Sequence, residues 1–157
     1  MKILKKILIY LLVVLAIAQF FGPEKNDGDF ATVDSFLAET NPPKEVKNIL
    51  ETTCFDCHSA KTTYPWYNAI TPVNYWLNEH IQDGKKHLNF SKWNTYSLKK
   101  KEHKMDELHE EVEEGEMPLN SYTWTHSEAK LSPAQIAAVV TWGKKVQADY
   151  KQQISTK

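Results

Sequence analysis

The chain opens with a long apolar block, and most of the remaining sequence is patterned at helical spacing. From Ile7 to Phe21 only Gln19 interrupts the hydrophobic run, and Ile3 and Leu4 extend it backwards past Lys5 and Lys6. No polar face divides this block, so it does not read as the half-buried helix of a globular core. Lys2, Lys5 and Lys6 ahead of it complete the positive flank and apolar stretch of an export signal, with the charges left on the cytoplasmic side. The run falls short of the ~20 residues that span a bilayer comfortably, although flanking lysines can snorkel. Ala16-Ile17-Ala18 is an acceptable small-x-small cleavage site. Residues 1–22 are therefore read as either a signal peptide or an uncleaved membrane anchor. Both deliver the rest of the chain to the periplasmic side of the inner membrane.

Residues 23–40 begin with a polar stretch carrying Pro23, Asn26 and Gly28, and are expected to be a tether. A domain over 41–152 comes next. Asn41-Pro42-Pro43 starts a helix, with proline tolerated in its first turn. Val46, Ile49 and Leu50 share one face of it, and Cys54 continues that face four residues on. A second helix is predicted from Asn74 to Gln82, closed by Asp83-Gly84. Ser97 caps a long helix from Leu98 to Glu114, striped by Leu98, Met105, Leu108 and Val112. Ser132-Pro133-Ala134-Gln135 is a capping box with proline at the first helical position. Ile136, Val139, Val140, Gly143, Val146 and Tyr150 succeed it at helical spacing, and Gly143 would allow a close crossing. The expected fold is all-α.

Charge narrows the partners. The formal net charge is −1, all 19 basic residues are lysine, and there is no basic tract or phosphate loop, so nucleic acid is excluded as a partner. The long helix carries lysines at its start and Glu110, Glu111, Glu113 and Glu114 at its end, against the macrodipole. That acidic end is a solvated face or a docking patch for a basic partner.

The chemistry lies in Cys54-Phe55-Asp56-Cys57-His58. With only two cysteines in the chain, a disulfide framework is excluded and both thiols serve one local purpose. Cys-x-x-Cys-His is the signature of covalent haem attachment. Two intervening residues let both sulfurs reach the two vinyl groups from one helical turn, and the adjacent histidine comes under the iron. A thioredoxin-like redox pair would need a βαβ setting that is not present. A zinc site would need further ligands, and His80, His87, His103, His109 and His126 are scattered.

For the second axial position Met117 is the leading candidate. In Gly115-Glu116-Met117-Pro118, glycine ends the preceding helix and proline stiffens the loop that aims a soft thioether. His80 is the rival, and would lower the potential. Met105, within a charged helix, is weaker. Five tryptophans and the clusters Tyr64-Pro65-Trp66-Tyr67, Trp76 and Tyr122-Thr123-Trp124 suit haem-pocket walls or plain core packing.

The order of helix, Cys-x-x-Cys-His, helices, Met-Pro loop and terminal helix resembles class I cytochrome c. More narrowly, the chain is similar to the haem-binding domain family of exported bacterial proteins. The resemblance is carried by residues 19–26, Cys54 to His58, Tyr64 to Tyr67, His87-Leu88-Asn89-Phe90-Ser91-Lys92-Trp93 and Gly115 to Pro118. It implies one covalent haem c on a small protein at the outer face of the inner membrane. Two departures stand out: an arginine is usual in the family at Gly22, and another at Lys85 or Lys86. The expected function is periplasmic electron transfer, without catalysis, to redox partner proteins in the periplasm or inner membrane. The alternatives are a haem sensor or peroxidase-like enzyme with a displaceable sixth ligand, or a thiol oxidoreductase without haem.

Overall fold

Helices are the only extended regular elements in the computed structural model, which describes residues 2–156; a lone antiparallel bridge joins Asp27 to Lys61. Helix α1 spans Lys2–Ala18, and none of its residues is buried. A 3-10 turn over Phe30–Val33 leads into α2, Asp34–Thr40. Helix α3, Lys44–Ile49, passes through a π-helical turn at Leu50–Cys54 into α4, Phe55–His58. Then come α5, Val73–His87, α6, Leu98–Glu114, the short α7, Asn120–Thr123, and α8, Pro133–Ser155. The all-α expectation holds.

The scaffold is the antiparallel pair α6 and α8. Its direction is set by the cross-contacts: Glu113 reaches Lys144, His109 meets Gly143 and Gln147, and Glu102 pairs with Lys151. The predicted caps form. The Ser132 side chain accepts from the Gln135 backbone while Gln135 bonds back to Ser132 N–H at 2.8 Å. Gly115, at φ 78°, closes α6 in the left-handed region that glycine tolerates best. A Cβ on Gly143 would lie 2.9 Å from the His109 Cβ, so this glycine sets how closely the two helices cross. The acidic end of α6 is partly neutralised, since Glu113 bonds Lys144 at 2.7 Å.

Two boundaries differ from the sequence reading. The segment expected to be a tether is docked on the domain at residues 26–28, where Asn26 is buried and Asp27 bridges Lys61, and it is helical in its second half. Phe36 is fully buried, with ring centroids 4.5 Å from Phe90, 5.0 Å from Trp93 and 6.1 Å from Trp142. Polar content at 23–34 hid this, because the apolar anchor comes only at Val33 and Phe36. Helix α5 also runs through Gly84 to His87 rather than ending at Asp83-Gly84. Its glycine is there for close packing against the cysteine motif, and not as a stop.

Beneath α6 and α8 lies a polar knot tying α2 to the core. Tyr150 donates to Glu39 at 2.8 Å and accepts from Trp93 Nε1 at 3.2 Å, while Lys101 Nζ reaches both Glu39 oxygens. Each of these partly or wholly buried groups is satisfied, as buried polar groups must be.

Candidate haem site

The helix entering the motif does not keep the register its apolar spacing predicts. At Leu50 the turn widens, and the Phe55 N–H bonds the Leu50 carbonyl five residues back. Phe55 therefore takes the buried position over Leu50 that an α-helix would give to Cys54. Cys54 is turned to the edge of the core, partly exposed, where it packs against the same hydrophobic cluster as Met117. Single π-turns of this kind occur preferentially at functional positions.

Cys54 and Cys57 are both free thiols. Burial, then the neighbouring Cys57, pushes Cys54 up to about 12. Burial, then Asp56, pushes Cys57 up to about 11. Both shifts run opposite to the lowered values of cysteines that carry out disulfide exchange.

The contact of the His58 ring with the Leu88 carbonyl fixes its tautomer. Nδ1 lies 3.0 Å from the Leu88 carbonyl oxygen. A carbonyl only accepts, so Nδ1 carries the proton and Nε2 keeps its lone pair. Burial holds the imidazole below the ordinary histidine range, against the opposing pull of the Leu88 and Gly84 carbonyls. A neutral ring with one nitrogen anchored to backbone and the other open is the arrangement of a metal-ligating histidine.

The residues that carry the family resemblance build the wall behind this ring. Leu88 supplies the carbonyl. The Asn89 side chain caps the 3-10 turn Phe90–Thr95 by accepting from Ser91 N–H. Phe90 packs edge-on against Phe55 and His58, at 5.3 and 6.2 Å. Ser91 Oγ accepts from Ala60 N–H at 2.8 Å, and Trp93 is buried in the core. Gly84 lets α5 touch the motif, since a Cβ there would be 2.8 Å from the Cys57 carbonyl oxygen.

Three tethers hold the motif from other sides. Asn26 Nδ2 donates to the Ser59 carbonyl at 3.0 Å and to Thr62 Oγ1 at 2.9 Å, and Gly28 N–H bonds the Ala60 carbonyl. Asp56 accepts from Thr63 N–H at 2.8 Å and from the Tyr122 hydroxyl at 3.1 Å. Burial, then Asp56, raises the Tyr122 phenol above its ordinary value, and its ring stacks on His126 at 4.1 Å. Tyr122 lies five residues past Met117, so this bond pins the end of the Met-Pro loop to the motif. Neither Asn26 nor Tyr122 was singled out from the sequence for such a role. Only the place of Asn26 within the resembling stretch 19–26 pointed to it.

The sixth-position candidates are treated differently by the fold. Met117 is partly buried against the same core cluster that Cys54 packs on, with its N–H bonded to the Glu111 carbonyl at 3.0 Å. His80 turns back on its own helix: its Nδ1 bonds the Trp76 carbonyl at 2.9 Å and its ring lies 4.4 Å from that of Trp76. Met105 is fully buried in the core. Among the described residues no three His, Cys, Asp or Glu side chains converge as a metal cluster. The aromatic clusters divide: Trp66 and Trp124 are about four-fifths exposed, whereas the Tyr64 hydroxyl accepts from the Asn26 N–H at 2.6 Å and so supports the motif's surround.

Lys85, Lys86 and Lys92 line an open depression of about 410 Å³ with Asn26, Ala60 and Asn89. Burial, then Lys92, lowers the Lys85 ammonium below its ordinary value, and Lys85 donates to Asn26 Oδ1 at 2.7 Å. Lys85 thus holds the asparagine that organises the backbone after the motif.

No curated protein and no solved structure matches the chain. A family model does, over residues 13–145, which takes in the end of α1, the whole motif and its wall, and the Met117 loop, and by that match the chain belongs to the haem-binding domain family.

Proposed function

We propose that the chain holds one haem c covalently through Cys54 and Cys57, with His58 and Met117 as axial ligands, and serves as an electron carrier outside the cytoplasm. The observation that carries this reading is the His58–Leu88 bond, which leaves Nε2 free at the residue following a Cys-x-x-Cys pair. Cys54 and Cys57 would each hold the group through a thioether, the sulfur adding to one vinyl carbon and the thiol proton to the other. The high thiol values support this role over disulfide exchange. The bound iron supplies a ferrous–ferric couple. The protein's part is to hold both ligands on stiff backbone. His58 is fixed by Leu88, and Met117 lies between the Glu111 carbonyl and the Tyr122–Asp56 bond. With both His58 and Met117 holding the iron, no position would be left for a substrate, which supports electron transfer over catalysis. The positively flanked α1 supports an extracytoplasmic location, with redox partners in the periplasm or inner membrane.

The test is spectroscopic. Met117→Ala should abolish the near-infrared sulfur-to-iron band and let the reduced protein bind carbon monoxide, while His80→Ala should change neither. Carbon monoxide binding by the unaltered protein at neutral pH would instead favour a sensor or peroxidase-like site. An unchanged band in Met117→Ala removes that ligand.

A further inference from the structure

Helix α1 is not simply appended to the domain. The Gln19 side chain clasps the Thr71 backbone in both directions, accepting from its N–H at 2.9 Å and donating to its carbonyl at 3.1 Å. Thr71 Oγ1 also donates to the Phe21 carbonyl at 3.2 Å, and Gly22 abuts the Asn74 side chain. The apolar helix therefore leaves the domain at one fixed corner, the loop leading into α5.

That corner carries an unusual concentration of exposed apolar and aromatic residues. Phe20, Phe21, Trp66, Ile70, Tyr75 and Trp76 are between 42 % and 87 % exposed. All of them lie within five residues of Gln19 or Thr71 along the chain, and Asn74 and Tyr75 are bonded directly back to Ile70 and Pro72. Tryptophan, tyrosine and phenylalanine grouped at the end of an apolar helix have the composition of a membrane–water interface belt.

The length of α1 gives the patch a purpose. No helix among the described residues is long and apolar enough to cross a membrane by itself. At ~1.5 Å per residue, the 17 residues of α1 cover about 26 Å, against a hydrocarbon core of ~30 Å. The shortfall is about 4 Å if Lys5 and Lys6 snorkel so that the span counts from Lys2, and about 12 Å if it counts only the uncharged stretch from Ile7. Lys2, Lys5 and Lys6 occupy one end. At the other, the clasp brings the domain's own aromatic corner to the same level.

We propose that this corner is a lipid-binding surface: Trp66, Ile70, Tyr75 and Trp76, with Phe20 and Phe21, insert at the bilayer interface and complete the span that α1 begins. The proposal rests on the anchored reading of α1, and it gives the domain one fixed orientation on the membrane. Gln19 then acts as a rigid joint rather than as part of a flexible stalk.

The full chain should be reconstituted into phosphatidylcholine vesicles, plain or brominated just below the headgroup, and read by flotation and by tryptophan emission. Flotation reports anchoring; the ratio of emission in brominated to plain lipid reports insertion of the corner and cancels any quenching by haem. Trp93 and Trp142 are buried and Trp124 is exposed outside the corner; all three remain in the double variant and are its background. The expected result is flotation together with lost emission in brominated lipid, and recovery of the ratio in Trp66→Phe/Trp76→Phe, which still floats. Flotation with equal emission in both lipids overturns the lipid surface and leaves the anchor intact; a second copy or a protein partner covering the corner would give this result. Quenching that persists in the double variant also overturns it. A chain that stays out of the vesicles overturns both the surface and the anchor.

Discussion

Gly84→Ala separates helix propensity from site geometry. In the middle of an exposed helix this change stabilises by about 1 kcal/mol, because alanine loses less backbone freedom on folding. Here the added Cβ would lie 2.8 Å from the Cys57 carbonyl oxygen, 0.6 Å inside the 3.4 Å at which ordinary contact begins, and 3.2 Å from the Cys57 Cβ. The obstacle is backbone, so no side-chain rotation relieves it. Helices α4 and α5 must separate, and overpacking of that kind costs about 1–3 kcal/mol. The net effect is a loss of up to about 2 kcal/mol once the propensity gain is subtracted. Separation also draws the Leu88 carbonyl, at the end of α5, away from His58 Nδ1. Gly143→Ala is the control, since its Cβ would meet His109 Cβ at 2.9 Å, between α6 and α8 and away from the motif. Urea unfolding of both variants should show lost stability, but only Gly84→Ala should also shift the reduction potential and lower the yield of haem-loaded protein. A Gly84→Ala protein about 1 kcal/mol more stable than the parent, with an unchanged potential, would refute the close approach of α5 to the motif.

Other perturbations probe the same packing. Phe36→Ala should cost about 3–5 kcal/mol in chemical unfolding, as for a fully buried phenylalanine; a loss near zero would mean that 34–40 is a tether after all. Tyr150→Phe removes the donor to Glu39 and leaves the Trp93 N–H without its acceptor, for a loss of about 1–3 kcal/mol. Burial, then the Glu39 bond, holds the Tyr150 phenol above its ordinary value. Above roughly pH 10 the unfolded chain therefore releases a proton that the folded chain retains, and stability falls as pH rises. Thermal melts across that window should fall more steeply for the parent than for Tyr150→Phe, and equal slopes would contradict the assignment.

The periodic elements were legible because local rules and tertiary packing agree there. Ser97, Gly115 and Ser132 mark the ends of α6 and α8 where the caps form, and the stripe through Met105, Leu108 and Val112 is buried. Reading failed where a residue serves a contact distant in sequence. Gly84 has the local signature of a helix end, but α5 continues because Cys57 lies against it. Leu50 and Cys54 have α-helical spacing, yet the π-turn hands the core position to Phe55. Phe36 stands in a polar context, and the residues it meets are Phe90, Trp93 and Trp142. At the site, Cys54, Cys57 and His58 announce themselves by spacing. Their supports, the Leu88 carbonyl, Asn26 and Tyr122, act through hydrogen bonds spanning 30 to 66 residues that no local pattern encodes.

The central claim is covalent capture of one porphyrin by two thiols and an embedded imidazole. Its most direct test is the intact mass of the full chain, exported from a host equipped for haem attachment and measured under reducing, denaturing conditions. The account predicts a mass raised by one haem, with the increment on the peptide containing Cys54 to His58 and neither thiol open to alkylation. An unmodified chain with both thiols alkylated would contradict it.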